Sequence, residues 1–436
     1  MSRSNSRSSL IRIALLISMY FPPEPGGGAT TAFNRASILQ KIGYKVFIVC
    51  GFPSYPSGKV TEEKYKGKLF YIEKMEDFTL IRLRLLSLES KGYLRRFILF
   101  TNFIFLSMVW MPRILGVTTR ITLVYALAPI LFSSFIGYVY SKVTKSFFIY
   151  EASDLWPEEL VVFKTNLSFI IFSFGKKLAK MSYSLSDMVV VTSKLAMIYV
   201  TNTYNPRPFI YDLPIGVEPS KYQIKSKEYA RKELMEKRII PKDLNHKFII
   251  LYAGIISKVT KVENLIYAAN SLKGKENNIV FLIIGDGDEK QRVEEIKQSR
   301  NLDNLFLLPF QDIALVPYLI SAADVCVVSL PSEPIYEVTV STKFFDYLAC
   351  HKPQIGICGG ELADIINTNK IGFTVKDGEI DKLVEIIESL KNSPSLMDSM
   401  QKNTHALLQE YSLDNLASKF DNVLKKVIIQ RNGKRN

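Results

Sequence analysis

Short apolar runs alternate with amphipathic stretches along the whole chain. That rhythm predicts βαβ units, in which crossover helices cover a parallel sheet. In the first half, strands are predicted at Arg12–Ser18, Tyr44–Cys50, Phe78–Leu83, Ile121–Tyr125, Phe147–Glu151 and Met188–Val191. A second series follows at Phe248–Ala253, Val280–Ile284, Leu305–Leu308, Val325–Val328, Gln354–Ile357 and Gly372–Val375. The polar, lysine-rich stretch Tyr222–Lys242 contains the boundary between the two series. The only repetition is this doubling of one α/β architecture. It divides the chain into a Ser/Arg-rich disordered tail (1–9), a Rossmann-like domain (10–225), a second one (226–408) and a closing segment (409–430). That segment is amphipathic over Ser412–Ile429, and the basic end Arg431–Asn436 is expected to fray.

Three apolar stretches raise the question of a membrane. Ile11–Met19 is short, lacks a small-residue cleavage site and runs into a Pro/Gly loop, so it reads as a core strand rather than a signal peptide. Thr122–Tyr140 is long enough to span a bilayer, but Pro129 splits it into a β-branched start and a helix-like remainder. Strand plus crossover helix fits better. Phe97–Met111 follows Arg95 and Arg96, ends at Trp110 and precedes Arg113. A buried core helix and a helix lying in the headgroup region both fit that pattern, and the charge of the chain favours the second.

That charge is +14 over 436 residues, of which 47% are hydrophobic. The length suits two domains, and the apolar content fills two cores. So basic a chain suits nucleic acid, anionic lipid or a polyanionic small ligand. No zinc-finger spacing, RNA-binding aromatic motif or basic zipper is present, so no nucleic-acid partner is expected. The cysteines Cys50, Cys326, Cys350 and Cys358 sit in apolar contexts and read as buried thiols. Cys350, His351 and Cys358 lack a fourth ligand at metal-site spacing, and no metal site is expected.

The first predicted strand enters Tyr20-Phe21-Pro22-Pro23-Glu24-Pro25-Gly26-Gly27-Gly28-Ala29-Thr30-Thr31, and a helix is predicted through Phe33–Ile42. Glycines admit a close ligand, and a helix start offers N–H groups and positive dipole to a phosphate. The loop departs from Gly-x-Gly-x-x-Gly, and the next strand ends in Val49-Cys50-Gly51 without an acid, which argues against a nicotinamide enzyme.

From this loop through Val60 the sequence resembles the opening of bacterial family 4 retaining glycosyltransferases, in particular the branch acting on aminosugars of surface polysaccharides. "EASDLWPEEL" (151–160) is similar to that branch's Arg-Asp-Leu-Trp-Pro-Glu segment, and "STKFFDYLACHKP" (341–353) resembles its donor-site helix. The three segments occur in the expected order. The resemblance implies the GT-B fold, two Rossmann-like domains across a cleft, with the closing helix returning to the first.

In the second half, Glu333 and Glu337 precede Ser341, Thr342 and Lys343, which open a helix carrying Asp346. Hydroxyls and a lysine at a helix start make a diphosphate cradle, and a carboxylate one turn on can accept from ribose hydroxyls. By resemblance Glu337 holds the donor sugar, Lys343 the phosphates and Asp346 the ribose. The family's two glutamates stand eight apart, whereas Glu337 and Asp346 stand nine apart and the second acid is shorter. The loop Gly254–Lys261 has Thr260-Lys261 where relatives have Lys-Gly, so the basic contact to the diphosphate falls to Lys258 or Lys261. Asp286-Gly287-Asp288 reads as a turn rather than a metal motif. Pro309-Phe310-Gln311 is the expected nucleobase floor, and Asp154 and Trp156 are the acceptor-side candidates; Ser153 replaces the arginine usual before that aspartate.

The implied function is retaining transfer of a sugar from a nucleotide-sugar donor, UDP-linked, to a saccharide or polyprenyl-diphosphate-linked acceptor. Neither cofactor nor metal is required, because lysines and helix ends neutralise the leaving diphosphate. The expected location is the inner face of the cytoplasmic membrane, against its anionic surface. The alternatives are a nucleotide-sugar epimerase of similar fold and an inactive nucleotide-sugar-binding subunit.

Overall fold

The computed structural model describes residues 12–54, 57–88, 93–118, 120–127, 132–158, 168–276 and 278–433. The tail 1–9 and Pro129 lie outside the described residues. The chain forms two compact units. One comprises residues 1–192, 196–215 and 416–436, and the other 193–195 and 216–415.

The first unit is built on an eight-stranded sheet: β1 (Arg12–Ile17), β2 (Tyr44–Gly51), β3 (Phe70–Met75), β4 (Phe78–Leu83), β5 (Ile121–Leu127), β6 (Phe147–Ala152), β7 (Met188–Val191) and β8 (Phe209–Asp212). The order across the sheet is β3-β4-β2-β1-β5-β6-β7-β8, and only β3 runs antiparallel, against β4. The second unit has a six-stranded parallel sheet: β9 (Phe248–Ala253), β10 (Ile279–Ile284), β11 (Leu305–Leu308), β12 (Val325–Ser329), β13 (Gln354–Ile357) and β14 (Gly372–Val375), in the order β11-β10-β9-β12-β13-β14. Central strands are covered on both faces, so they read as continuous apolar runs; all six residues of β10 are buried. Both units are Rossmann-like.

The twelve strands predicted from the pattern are present to within two residues at each end. β3 and β8 were not predicted. The first helix starts earlier than the periodicity predicts, at Gly27 instead of Phe33, and runs to Lys41. Residues 216–225 belong to the second unit rather than the first. They are tied there by backbone hydrogen bonds from Val217 to Tyr411 and from Leu413 to Val217. The last helix, Leu413–Gly433, enters the first unit from Leu416.

Each sheet reverses its winding beside its first strand. β1 lies between β2 and β5, and β9 lies between β10 and β12. Ligands of open α/β sheets bind beyond the carboxyl ends of the strands at such switch points. The glycine-rich loop follows β1. The loops 254–261 and 330–341 follow the neighbouring strands β9 and β12.

Candidate donor site and the glycine-rich loop

In the second unit the helix Thr342–Ala349 is stitched to the end of β9, because the Tyr347 hydroxyl accepts from the Ala253 N–H at 3.0 Å. Ser341 is the N-cap residue, and its side chain makes no cap hydrogen bond, so the first-turn N–H groups suit an incoming anion. Lys343 extends over β9: its Nζ lies 5.5 Å from the Tyr252 ring centroid, and a Cβ on Gly254 would come within 2.1 Å of its Cε. The lysine stem thus lies on the bare backbone of the loop that carries Lys258 and Lys261.

That loop is pinned. Gly254 donates to Ile284, Ile256 donates to the carbonyl of Asp286, and Glu289 donates to Ile256. The approach is so close that a Cβ on Gly285, which has φ +154°, would stand 1.8 Å from the Gly254 carbonyl oxygen. Only glycine fits there. Asp286-Gly287-Asp288 serves this junction: the Asp286 carboxylate accepts from the Gly287 N–H at 2.8 Å. Among the described residues no three His, Cys, Asp or Glu side chains gather as a metal-ligand set.

The two loop lysines differ. Lys258 is exposed. Lys261 is half-buried, 3.4 Å from the Asp377 carboxylate, and adopts left-handed backbone at φ +45°. The backbone at Lys261 therefore holds a left-handed conformation that glycine adopts most readily, with a lysine in place. Asn264 fixes the arrangement by donating to Lys261 O and Asp377 Oδ1 and accepting from Gly378.

Asp346 lies one turn into the helix. Its carboxylate accepts from the Tyr222 hydroxyl and feels the positive charge of Lys343. Burial pushes its pKa up to about 6, against the Tyr222 hydrogen bond and the Lys343 charge, both of which favour the ionised form. One Asp346 oxygen thus already has a partner, which the sequence reading did not anticipate. Glu337 is exposed, and its backbone rests against the Gly359-Gly360 step, where a Cβ on Gly360 would meet the Glu337 carbonyl oxygen at 2.0 Å. Phe310 follows β11 and is 59% exposed. Thr342 and Ser341 are half-buried.

In the first unit Gly26 is the N-cap of the helix Gly27–Lys41, with φ +113° and no capping side chain. Gly27 and Gly28 are therefore its first helical residues, not loop, and all three glycines are exposed. A buried network that the sequence did not reveal anchors the body of this helix. Arg35 binds both oxygens of Glu151 at 2.8 and 2.9 Å and donates to the carbonyls of Leu213 and Pro214. Tyr125 completes it by donating to Glu151 at 2.5 Å. Burial, the largest single influence, would depress the Arg35 pKa; the Glu151 and Tyr125 charges and their hydrogen bonds together outweigh it and raise it. On the other side of the loop, fully buried Arg82 donates to the Pro22 and Gly51 carbonyls and pairs with Glu73.

Glu151 is the penultimate residue of β6, and Asp154 lies two residues beyond the strand end. The Asp154 side chain reaches solvent, yet desolvation by its surroundings and the nearby Glu151 charge push its pKa up to about 6. Trp156 and Pro157 pack against the helix Ser168–Leu185, where a Cβ on Gly175 would lie 3.3 Å from the indole and 2.7 Å from the proline ring. Packing is the use of Trp156 that this structure displays.

Residues 235–406 match the family model described as glycosyl transferases group 1. The putative colanic acid biosynthesis glycosyl transferase WcaI of Escherichia coli (strain K12) is 36% identical over 80 residues, 18% of this chain and 19% of that protein. The alpha-D-kanosaminyltransferase of Streptomyces kanamyceticus is 25% identical over 202 residues, 46% of this chain and 50% of that protein. The chain thus spans half or less of the length of these curated relatives. Among solved structures, a sucrose-phosphate synthase from Thermosynechococcus elongatus superposes with a TM-score of 0.75 at 17% identity, covering 96% of this chain and all of that one. Anabaena HepE in complex with UDP gives 0.66 at 14% identity, covering 95% of this chain and all of that one. The fold is GT-B.

Proposed function

We propose that this chain is a glycosyltransferase that moves a sugar from a nucleotide-sugar, UDP-linked, to a saccharide or polyprenyl-diphosphate-linked acceptor, with retention of anomeric configuration. The observation that carries the reading is the second-unit switch point, where an uncapped helix start carries Lys343, whose stem lies on the bare backbone of Gly254, and Asp346 one turn further on. The group 1 match over 235–406 and the relatives named as transferases favour transfer over epimerisation. Solved neighbours bound to UDP support that donor class.

In this reading Lys343 and the N–H groups of its helix bind the diphosphate and stabilise it as it leaves. Lys258 is the better second cation, because Asp377 already engages Lys261. Asp346 accepts from a ribose hydroxyl with the oxygen that Tyr222 leaves, Glu337 holds the donor sugar, and the Phe310 segment supports the base. In the first unit the helix start at Gly26–Gly28 offers the same kind of anion stabilisation, and Asp154 serves the acceptor. Positive side chains and helix ends perform the work of a divalent ion, so no metal is required. Synthesis of a surface polysaccharide at the inner face of the cytoplasmic membrane is the setting we assign.

The test is incubation of the purified chain with radiolabelled UDP-sugars and a lipid-diphosphate saccharide. Labelled lipid product supports the proposal. Interconversion of donors identifies an epimerase, and binding without turnover identifies an inactive subunit.

A further inference from the structure

We infer that the first unit docks on an anionic lipid surface through a layer of four helices, Tyr93–Val109, Met111–Thr118, Phe132–Thr144 and Ser168–Leu185. This deepens the membrane setting assigned above and rests on it only for the identity of the partner.

The four helices contain no Asp or Glu, and they carry Arg95, Arg96, Arg113, Lys142, Lys176, Lys177 and Lys180. By contrast, every described helix of eight residues or more that lies wholly in the second unit has at least one acid. The helix Phe132–Thr144 touches both Tyr93–Val109 and Ser168–Leu185, and Met111–Thr118 touches Tyr93–Val109, so the four form one layer.

Large apolar side chains stand in solvent across that layer: Phe105 (65% exposed), Val109, Phe135, Val143, Phe174 (61%) and Met181. On the last helix, exposed Phe174, Lys177 and Met181 recur at the spacing of a single face. Aromatic and aliphatic groups interspersed with lysine, without acids, match a surface that presents hydrocarbon beneath negative headgroups. A soluble polyanion offers the charge but nothing to cover the phenylalanines.

The layer lies on the membrane rather than crossing it. Among the described residues no single helix is long and apolar enough to span; Phe97–Val109 and Met111–Thr118 reach the length only together, bent by 62°. Moreover Leu99, Phe103 and Ile114 are buried in protein, and Tyr140 donates to the Ser107 carbonyl at 2.8 Å. One side of the bent pair is thus committed to the fold. Of the two readings of Phe97–Met111, each describes one face.

The experiment is sedimentation of the full chain with sucrose-loaded vesicles of phosphatidylcholine, with or without phosphatidylglycerol, beside calorimetric UDP binding. Wild type should sediment with the mixed vesicles and not with phosphatidylcholine alone. At about fivefold weakening per basic residue, the variant Lys176→Ser/Lys177→Ser/Lys180→Ser should lose at least tenfold in vesicle affinity. Phe105→Ser/Phe174→Ser should also weaken it. Both variants should bind UDP like wild type. Absent wild-type sedimentation, or variants that sediment unchanged, overturns the inference whatever UDP does. Loss with the lysine variant but none with the phenylalanine variant reduces the layer to a polyanion site and overturns the lipid assignment. Vesicle binding without UDP binding leaves this inference standing and removes the donor-site reading.

Discussion

Replacing Tyr222 by phenylalanine removes one hydrogen bond and little else, because the ring remains. The bond runs to Asp346, whose carboxyl is already pushed up to about 6 by burial. A hydrogen bond to a charged group is worth about 1.5–3 kcal/mol, and a pKa unit corresponds to about 1.4 kcal/mol. Its loss therefore raises the Asp346 pKa by about one to two units, from just below neutrality to neutrality or above. The other groups around the carboxyl do not compensate: Lys343 stays, burial pushes the Cys350 thiol up to about 12, and Tyr347 is raised well above its ordinary value, so both remain neutral. The sign follows. Only the ionised carboxylate accepts freely from a ribose hydroxyl, so wild-type affinity for a UDP-sugar should fall as the pH drops through about 6. The diphosphate of a UDP-sugar lacks the terminal-phosphate proton that UDP itself loses at about pH 6. In Tyr222→Phe the fall should begin near neutral pH and reverse in alkaline buffer, and in Asp346→Asn it should disappear. Calorimetry across this range reads the difference. A Tyr222→Phe curve lying below wild type by one constant factor at every pH would show that Tyr222 merely packs, and would refute the ribose assignment of Asp346.

Lys343→Ala and Glu337→Ala should each abolish transfer while leaving the thermal unfolding midpoint within a few degrees of wild type; normal turnover by both variants refutes the proposed site. Arg35→Met leaves Glu151 buried without its cation and should cost about 3–5 kcal/mol, read as a lower urea midpoint, whereas wild-type stability would mean that the pair is dispensable. Transfer should continue in excess EDTA, since Lys343 and the helix start carry the charge stabilisation; an activity restored only by added Mg²⁺ or Mn²⁺ would remove that assignment.

Much of this molecule was legible in its sequence, for a physical reason. A parallel strand covered on both faces must be apolar throughout, so β9 and β10 announce themselves. β3 and β8 did not, because edge strands are half-solvated: β3 alternates partly buried and exposed residues, and β8 has no fully buried one. The site was legible where chemistry is local. Lys343 and Asp346 are one turn apart, and their helix start is written in consecutive letters. It was illegible where partners are distant in the chain. Tyr222 lies 124 residues from Asp346, and Arg35 lies 116 from Glu151. The only sequence clue to Arg35 is a charged residue inside a helix whose neighbours Ala32, Phe33, Ala36 and Ile38 are all apolar. A lone arginine there is easily taken for a solvated one, and only burial reveals the need for a counter-charge.

The same arginine restricts how this protein can change. One arm of its guanidinium clasps the strand end that leads to Asp154, while its backbone belongs to the helix begun by the three glycines. Anyone exchanging either segment for that of a relative inherits a matching problem in the interior. Chimaeras should therefore succeed only when residues 26–41 and 147–156 travel as a set, and libraries that diversify one of them alone should yield mostly unfolded members.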